Sequence, residues 1–409
     1  MEWLREVGRE QWRVLAAAHL GYALDAMDVL LFSFALTGIR GEFQLSSAAA
    51  GALAATPMVT SALGGFLFGY LSDRCGRVRA LTWSIFCFSL LTGLTASSQT
   101  VVQLVFWRSL AGIGLGGEWA AGSVLVAETW PARHRAKGVA MMQSGWAVGY
   151  LTAAVLAGLV LPRWGWRPLF LLGILPALFT WAIRRGIAEP AVWRKQASRD
   201  RKPGAMASLA ALLQPPLARP MILLTALCSC LLFGYWGLFT WIPAYLSSPL
   251  ARGGAGLSLV KSSAWIVPMQ IGAFFGYILF GFFADRVGRR CAFFTFVLST
   301  AALIPVYGWY ARSPLVLLAT GPLLGFFGHG YFSSIGVMAA ELFPPWIRST
   351  AQGFSYNVGR AMSALAPATV GALADRYGVG AALGLASVFF VTAAFLMRLL
   401  PETRPPTAP

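Results

Sequence analysis

The sequence predicts an all-α membrane protein of twelve transmembrane helices in two pseudo-symmetric six-helix bundles. Three observations carry that reading. Hydrophobic residues make up 57% of the 409 and charged ones only 11%, with a mean hydropathy of +0.65, whereas soluble domains carry about a quarter charged residues. Apolar runs near the length a hydrocarbon core requires, about 20 residues each, recur between charged or Pro/Gly breaks along the whole chain. Two polar motifs of the first half also return in the second at a nearly constant offset.

Six spans fall near 13–37, 47–71, 79–96, 101–123, 138–160 and 167–187, so residues 1–187 form the expected N-terminal bundle. The first run has no small-residue cleavage pattern and reads as a retained helix rather than a signal peptide. A basic, proline-bearing segment over 188–219, with Arg194, Lys195, Arg199, Arg201 and Lys202, is the expected linker. Six further spans near 220–246, 260–283, 291–310, 314–338, 349–373 and 380–399 give a C-terminal bundle over 220–409. The 44 glycines suit close helix packing and the 16 tryptophans suit the membrane interfaces.

A net charge of +17 could indicate nucleic-acid binding, but its position argues otherwise. With both termini on the cytoplasmic side, the inner segments hold 23 of the 32 Lys and Arg and the outer segments seven; Arg108 and Arg360 remain within spans. That asymmetry follows the positive-inside rule, places the chain in a bacterial cytoplasmic membrane, and makes anionic lipid rather than nucleic acid its partner. The five cysteines form no disulfide or metal framework, and no reactive Ser/His/Asp cluster is visible. The expectation is therefore a monomeric non-enzyme with no catalytic residue, metal or cofactor.

The repeat is specific. Gly69-x-x-x-Asp73-x-x-Gly76-Arg77 returns in the second half as Gly281-x-x-x-Asp285-x-x-Gly288-Arg289. Glu128-x-x-Pro131-x-x-x-Arg135 returns as Glu341-x-x-Pro344-x-x-x-Arg348, in the same order and with a displacement that differs by a single position. Asp73 and Asp285 are expected to accept backbone N–H bonds at the start of the helix that follows each, with Arg77, Arg79, Arg289 and Arg290 binding partners or lipid phosphate. Glu128, Arg135, Glu341 and Arg348 are expected in the same network, which would close the cytoplasmic side and break on opening. The bland alternative is a pair of static basic loops.

On these motifs, and on Arg108-x-x-x-Gly112-x-Gly114-x-Gly116-Gly117-Glu118-Trp119, the chain resembles the major facilitator superfamily over nearly its whole length. Asp25/Asp28, Gly117-Glu118-Trp119 and Tyr356-Asn357-x-x-Arg360 look most like its proton symporters of organic acids, including the sialate/carboxylate branch. The resemblance implies alternating access between two bundles, with protons as coupling ion.

The residues support such a role independently. Asp25 and Asp28 lie about 18–23 Å into span 1 at 1.5 Å per residue, near mid-membrane, where a charged side chain is costly and marks function. Two carboxyl groups there suit proton exchange; a permanent ion pair is the alternative. Arg108 overlaps Asp28 in depth, which allows them to pair. Glu118, about 15 Å further along the same helix, is either a relay or a structural bond to a neighbour. Arg360 is the expected anchor of a substrate carboxylate through its planar fork, with Asn357 one turn earlier beside it; pairing with an acid from the other half is its alternative. His329 could donate to substrate, exchange a proton or simply pack, and His19 could serve an inner proton path. Tyr22, Gln143, Trp146, Tyr150, Tyr235, Trp236, Trp241 and Gln270 are candidate cavity walls, because polar or amphipathic groups interrupt apolar helices there. The function expected is proton-coupled uptake of a small organic acid such as a monocarboxylate. Sialate or aromatic-acid symport, organic-anion exchange and efflux are the alternatives, with a non-transporting receptor as the reading from a different class.

Overall fold

Lipid offers no partner to a backbone N–H or C=O, so each apolar run satisfies its own groups by becoming a helix. The computed structural model describes residues 3–178, 186–197, 203–257, 259–310 and 313–403, and no strand occurs among them. Ten helices in the described residues are long and apolar enough to cross a membrane. They make the chain a multi-pass all-α membrane protein. The first runs over Arg9–Glu42, longer at both ends than 13–37, because its polar flanks continue the helix beyond the apolar stretch. The next two meet at Gly76, between Ser47–Cys75 and Arg77–Thr95. Caps mark two starts: Ser46 Oγ accepts from Ala49 N, and Thr100 Oγ1 from Gln103 N ahead of Val101–Thr129.

Two expected spans are not among the ten. An apolar segment, Trp166–Leu178, opens the stretch expected at 167–187, and residues 179–185 lie outside the described ones. The stretch expected at 349–373 is divided into Arg348–Ser363 and Ala366–Tyr377, and the first piece buries Gln352, Asn357 and Arg360. Its polar cargo makes this segment less apolar than its neighbours. Other helices are interrupted at Ser144, at Thr240–Trp241 and at Tyr331. Pro243 and Pro367 sit in the first turn of the piece after a break, where a missing N–H costs nothing. The basic segment after residue 188 carries short helices Ala191–Ala197 and Ala205–Leu212; Arg199, Arg201 and Lys202 lie outside the described residues.

The two halves of the sequence meet through matching partners. Helix Ser47–Cys75 packs on Val101–Thr129 and, across the halves, on Arg348–Ser363. Helix Leu259–Val287 packs on Pro314–Gly330 and, across the halves, on Arg135–Gln143 and Gly145–Trp164. One apolar cluster runs through both halves, while a second, around Leu31, Phe32, Leu104 and Phe170, stays within the first.

Small residues permit the closest approaches. A Cβ at Gly116 would overlap Ser61 O and the backbone at Gly64 and Gly65, and one at Gly353 would overlap Gly65 O. Gly116→Ala should therefore destabilise the protein by about 1–3 kcal/mol, the usual cost of overpacking. Gly158→Ala, which meets nothing within 4 Å, is the control. Thermal unfolding in detergent should give a lower Tm for the first variant and no loss for the second, where alanine is the better helix former.

Candidate functional site

The short basic loops between helices gather into one belt. Gly76 (φ +128°) and Gly288 (φ +101°) adopt a conformation open mainly to glycine and start the helices that follow. The free amides there do not bind Asp73 or Asp285, which corrects the sequence expectation. Val78 N and Arg79 N donate to Glu189 at 3.1 and 3.2 Å, and Arg289 N and Arg290 N donate to Glu402 at 2.9 and 3.0 Å. Asp73 instead crosses to the other half, accepting from Ser349 N (3.1 Å), Thr350 N (2.8 Å) and Thr350 Oγ1 (2.7 Å). The bare Gly69 lets the Ser349–Thr350 backbone come close, and a helix N-terminus with unpaired amides attracts a carboxylate.

Arg77 binds Asp73 at 2.6 Å, Glu128 at 3.0 Å and Pro345 O at 2.6 Å, while Arg348 donates to Glu128 at 2.7 Å. The second half mirrors this: Arg289 meets Asp285 at 2.6 Å and Glu341 at 3.4 Å, and Arg135 meets Glu341 at 3.2 Å. The eight residues expected in one network fall into two clusters of four, each completed by an arginine from the other half. The symmetry fails at the two aspartates. Lys137 pairs with Asp285 at 3.1 Å, whereas Thr350, its counterpart in the repeat, offers Asp73 a hydroxyl. Arg79 and Arg290 turn to backbone carbonyls, Cys75 O and Arg398 O.

Deeper in, Asp25, Asp28, Glu118, Arg108 and Arg360 are all buried. Arg108 lies 3.6 Å from Asp28, close enough for an ion pair and too far for a hydrogen bond, and its guanidinium sits 4.8 Å from the Phe32 ring centroid. Asp25 stands in the field of Arg360 and Asp28, Asp28 in that of Arg108 and Arg360, and Glu118 in that of Asp25. One electrostatic cluster therefore spans both halves. Asp25 Oδ1, both oxygens of Asp28 and both of Glu118 have no hydrogen-bond partner among the described residues. Glu118 packs against Gly21 and Gly122, on the side of the cluster away from Arg108.

Between the halves lies a cavity of about 10 Å³, the size of a single water, walled by Tyr22, Trp146, Leu232, Tyr235, Trp236, Tyr277, Phe332, Tyr356 and Arg360. Tyr22, Trp146, Tyr235, Trp236 and Arg360 were expected there. His329 lies behind Tyr235, with Nε2 at 3.2 Å from its hydroxyl. Asn357 turns its amide to Gly116 O (2.8 Å) and Gly353 O (2.9 Å), tying the helices together below the cavity. Gln143 accepts from Trp119 Nε1 (2.7 Å), and Trp119 stacks on Tyr356 at 3.9 Å. Trp241 donates to Pro367 O, Tyr150 packs on Phe34, His19 faces Met141 O, and Gln270 is buried with Oε1 unpartnered; none of these four walls the cavity.

The sequence profile of the Major Facilitator Superfamily matches residues 18–269 and 254–409. The chain belongs to the major facilitator superfamily. It is 38% identical over 385 residues to a putative metabolite transport protein of Haemophilus influenzae, covering 93% of each chain. It is 35% identical to the cis,cis-muconate transport protein of Acinetobacter baylyi, covering 97% and 94%, and 34% identical to a probable 4-methylmuconolactone transporter of Cupriavidus pinatubonensis, covering 98% and 93%. The solved structure of the proton:xylose symporter XylE superposes with a TM-score of 0.75 at 19% identity over 97% of each chain, which establishes the shared fold. The protein is a secondary transporter.

Sequence reasoning left three parts of this arrangement without a role, Tyr356 among them although its motif was noted. Tyr356 is four residues before Arg360 and so shares its helix face, a signal that was present. Tyr277 is seven residues after Gln270, on the same face of its helix by the same rule. Glu189 and Glu402 are related by the same displacement as the repeated Glu128 and Glu341, but no flanking pattern draws attention to them. Asp73→Ala should speed amide exchange at Ser349 and Thr350 about tenfold, the effect of losing roughly one net hydrogen bond. Hydrogen-exchange mass spectrometry of the peptide starting at Arg348 measures it, and unchanged rates would remove Asp73 as the tie between the halves.

Proposed function

We propose that this transporter carries a small organic acid inward together with protons. The observation that carries the reading is the charge count of the buried cluster. Among the described residues the acids Asp25, Asp28 and Glu118 share this buried cluster with two cations, Arg108 and Arg360, so it is neutral when it holds one proton. A substrate monoanion at Arg360 adds a negative charge, and a second proton restores neutrality. Because an uncompensated buried charge costs several kcal/mol, the conformations that seal the cluster from water favour the state with both substrate and proton, or with neither. That differential is what coupling requires.

In this reading Arg360 anchors the carboxylate, Asp25 and Asp28 exchange the proton, Arg108 holds Asp28, and Glu118 relays beyond Asp25. Twelve spans form two six-helix bundles, 1–187 and 220–409, joined by the 188–219 linker, with both termini and the ion-pair belt on the cytoplasmic side. The belt is then the inner gate. It is closed here, so the cavity would fill from the outer face after its rings move apart. Four tyrosines, two tryptophans and a phenylalanine around one arginine favour a flat unsaturated or aromatic carboxylate over a compact hydroxy acid. The muconate and methylmuconolactone carriers among the relatives support the same substrate class.

Uptake into proteoliposomes tests this. An inward proton gradient should accelerate accumulation of a monocarboxylate such as benzoate, while a potassium diffusion potential alone should not, because one proton per monoanion is electroneutral. Accumulation driven by the potential alone would overturn the charge balance. Arg360→Ala should abolish saturable uptake in correctly inserted protein; undiminished uptake would remove it as the anchor. Asp25→Asn and Asp28→Asn should keep counterflow and lose proton-driven accumulation, and normal accumulation in both would take the acidic pair out of the mechanism.

A further inference from the structure

The cavity wall contains a hydrogen-bond chain whose direction is set by its two ends. Trp146 Nε1, which can only donate, lies 3.1 Å from the Tyr235 hydroxyl. That hydroxyl lies 3.2 Å from His329 Nε2, and His329 Nδ1 lies 3.0 Å from Gly325 O, which can only accept. Nδ1 must therefore carry a hydrogen. If Nε2 carried one as well, Tyr235 would accept from both sides, and its own proton would have no acceptor among the described residues. With the hydrogen on Nδ1 alone every donor meets an acceptor: Trp146 to Tyr235, Tyr235 to His329, His329 to Gly325. His329 is fully buried and ringed by Phe239, Tyr235 and Tyr277, so no competing partner reorients it.

From this chain we infer that Tyr235 is a specificity-determining residue that presents only an acceptor to the cavity, with His329 as the positioning residue that fixes this polarity. The phenol's single proton is committed to His329, and its lone pairs face the cavity and Trp146. On the opposite requirement, Arg360 offers only donors, and Trp236, another wall, has a buried Nε1 with no partner among the described residues. The site is thus polarised. One end takes the carboxylate, and the end at Tyr235 takes a hydroxyl or ring N–H of the same molecule, replacing the Trp146 indole that bridges the halves when the cavity is small. An acid carrying such a donor is selected over its isostere without one, since a site built to hydrogen-bond a group discriminates against analogues that lack it.

This inference rests on the cavity being the substrate site, and the test separates the two. Solid-state ¹⁵N NMR of histidine-labelled protein reads the tautomer without any ligand. Only three histidines are present, and His329→Gln assigns the signal by its loss. A protonated Nδ1 with a hydrogen-bonded, unprotonated Nε2 that shifts in Tyr235→Phe is expected; a protonated Nε2 would overturn the polarity. Tryptophan-fluorescence titrations with benzoate and the three hydroxybenzoates then give the ratio of Kd values. The best hydroxybenzoate should bind about tenfold tighter than benzoate. That preference should collapse in Tyr235→Phe and in His329→Leu, and persist in His329→Gln, whose amide oxygen still accepts the phenol proton. An unchanged ratio in Tyr235→Phe overturns the proposal while leaving the substrate class intact. Failure of all four acids to bind overturns the substrate class, and with it the selectivity argued here.

Discussion

Three buried carboxyl groups share one interior with two guanidinium groups, and the rest of the molecule has to live with that imbalance. Domains are stable by only about 5–15 kcal/mol, and one uncompensated buried ion costs a large part of that. Asp28 is partly compensated by Arg108, whose flat cation also lies against Phe32. Asp25 has the more diffuse field of Arg360, and Glu118 packs against Gly21 and Gly122 in the field of Asp25. The lightest remedy for an excess negative charge is a proton, and the proposed coupling follows from there being one carboxyl more than the arginines can match.

One helix joins this cluster to the ion-pair belt. Arg348–Ser363 begins with Ser349 and Thr350 bound to Asp73, touches Gly65 at Gly353, ties to Gly116 through Asn357, and brings Tyr356 and Arg360 to the cavity. The ties through Asp73, Gly65 and Gly116 all reach the first half of the chain. A rigid helix held at both levels would carry a movement at the belt to the cavity, which is the physical link the proposed cycle needs. The same helix is the polar one, with Gln352, Asn357 and Arg360 buried along it.

The belt also shows why a repeated sequence need not give two equal sites. Glu189 and Glu402 cap matching helices, and Arg77 and Arg289 repeat the same ion pair. Yet Asp73 receives two backbone amides and a hydroxyl, whereas Asp285 receives a lysine ammonium. A hydrogen-bonded cap needs close backbone approach, while an ion pair on a long lysine side chain tolerates distance. The two halves are therefore held to each other by different forces at corresponding points.

Composition and spacing were enough to announce helices, their approximate ends, the internal repeat and the charged residues that had no reason to be in lipid, because the cost of burying backbone and charge is local and shows in each segment. The pairing of Arg108 with Asp28 was legible for the same reason: two depths along two helices can be counted. Which acceptor role Asp73 would fill was not, since its partners come from a helix far along the chain, brought close by the bare surface of Gly69. Nor could spacing separate Asn357, which stitches two helices, from Arg360, which faces the cavity three residues later. Side chains on one helix share a face by periodicity, but what that face meets is decided by how helices distant in sequence pack, and only the assembled structure holds that information.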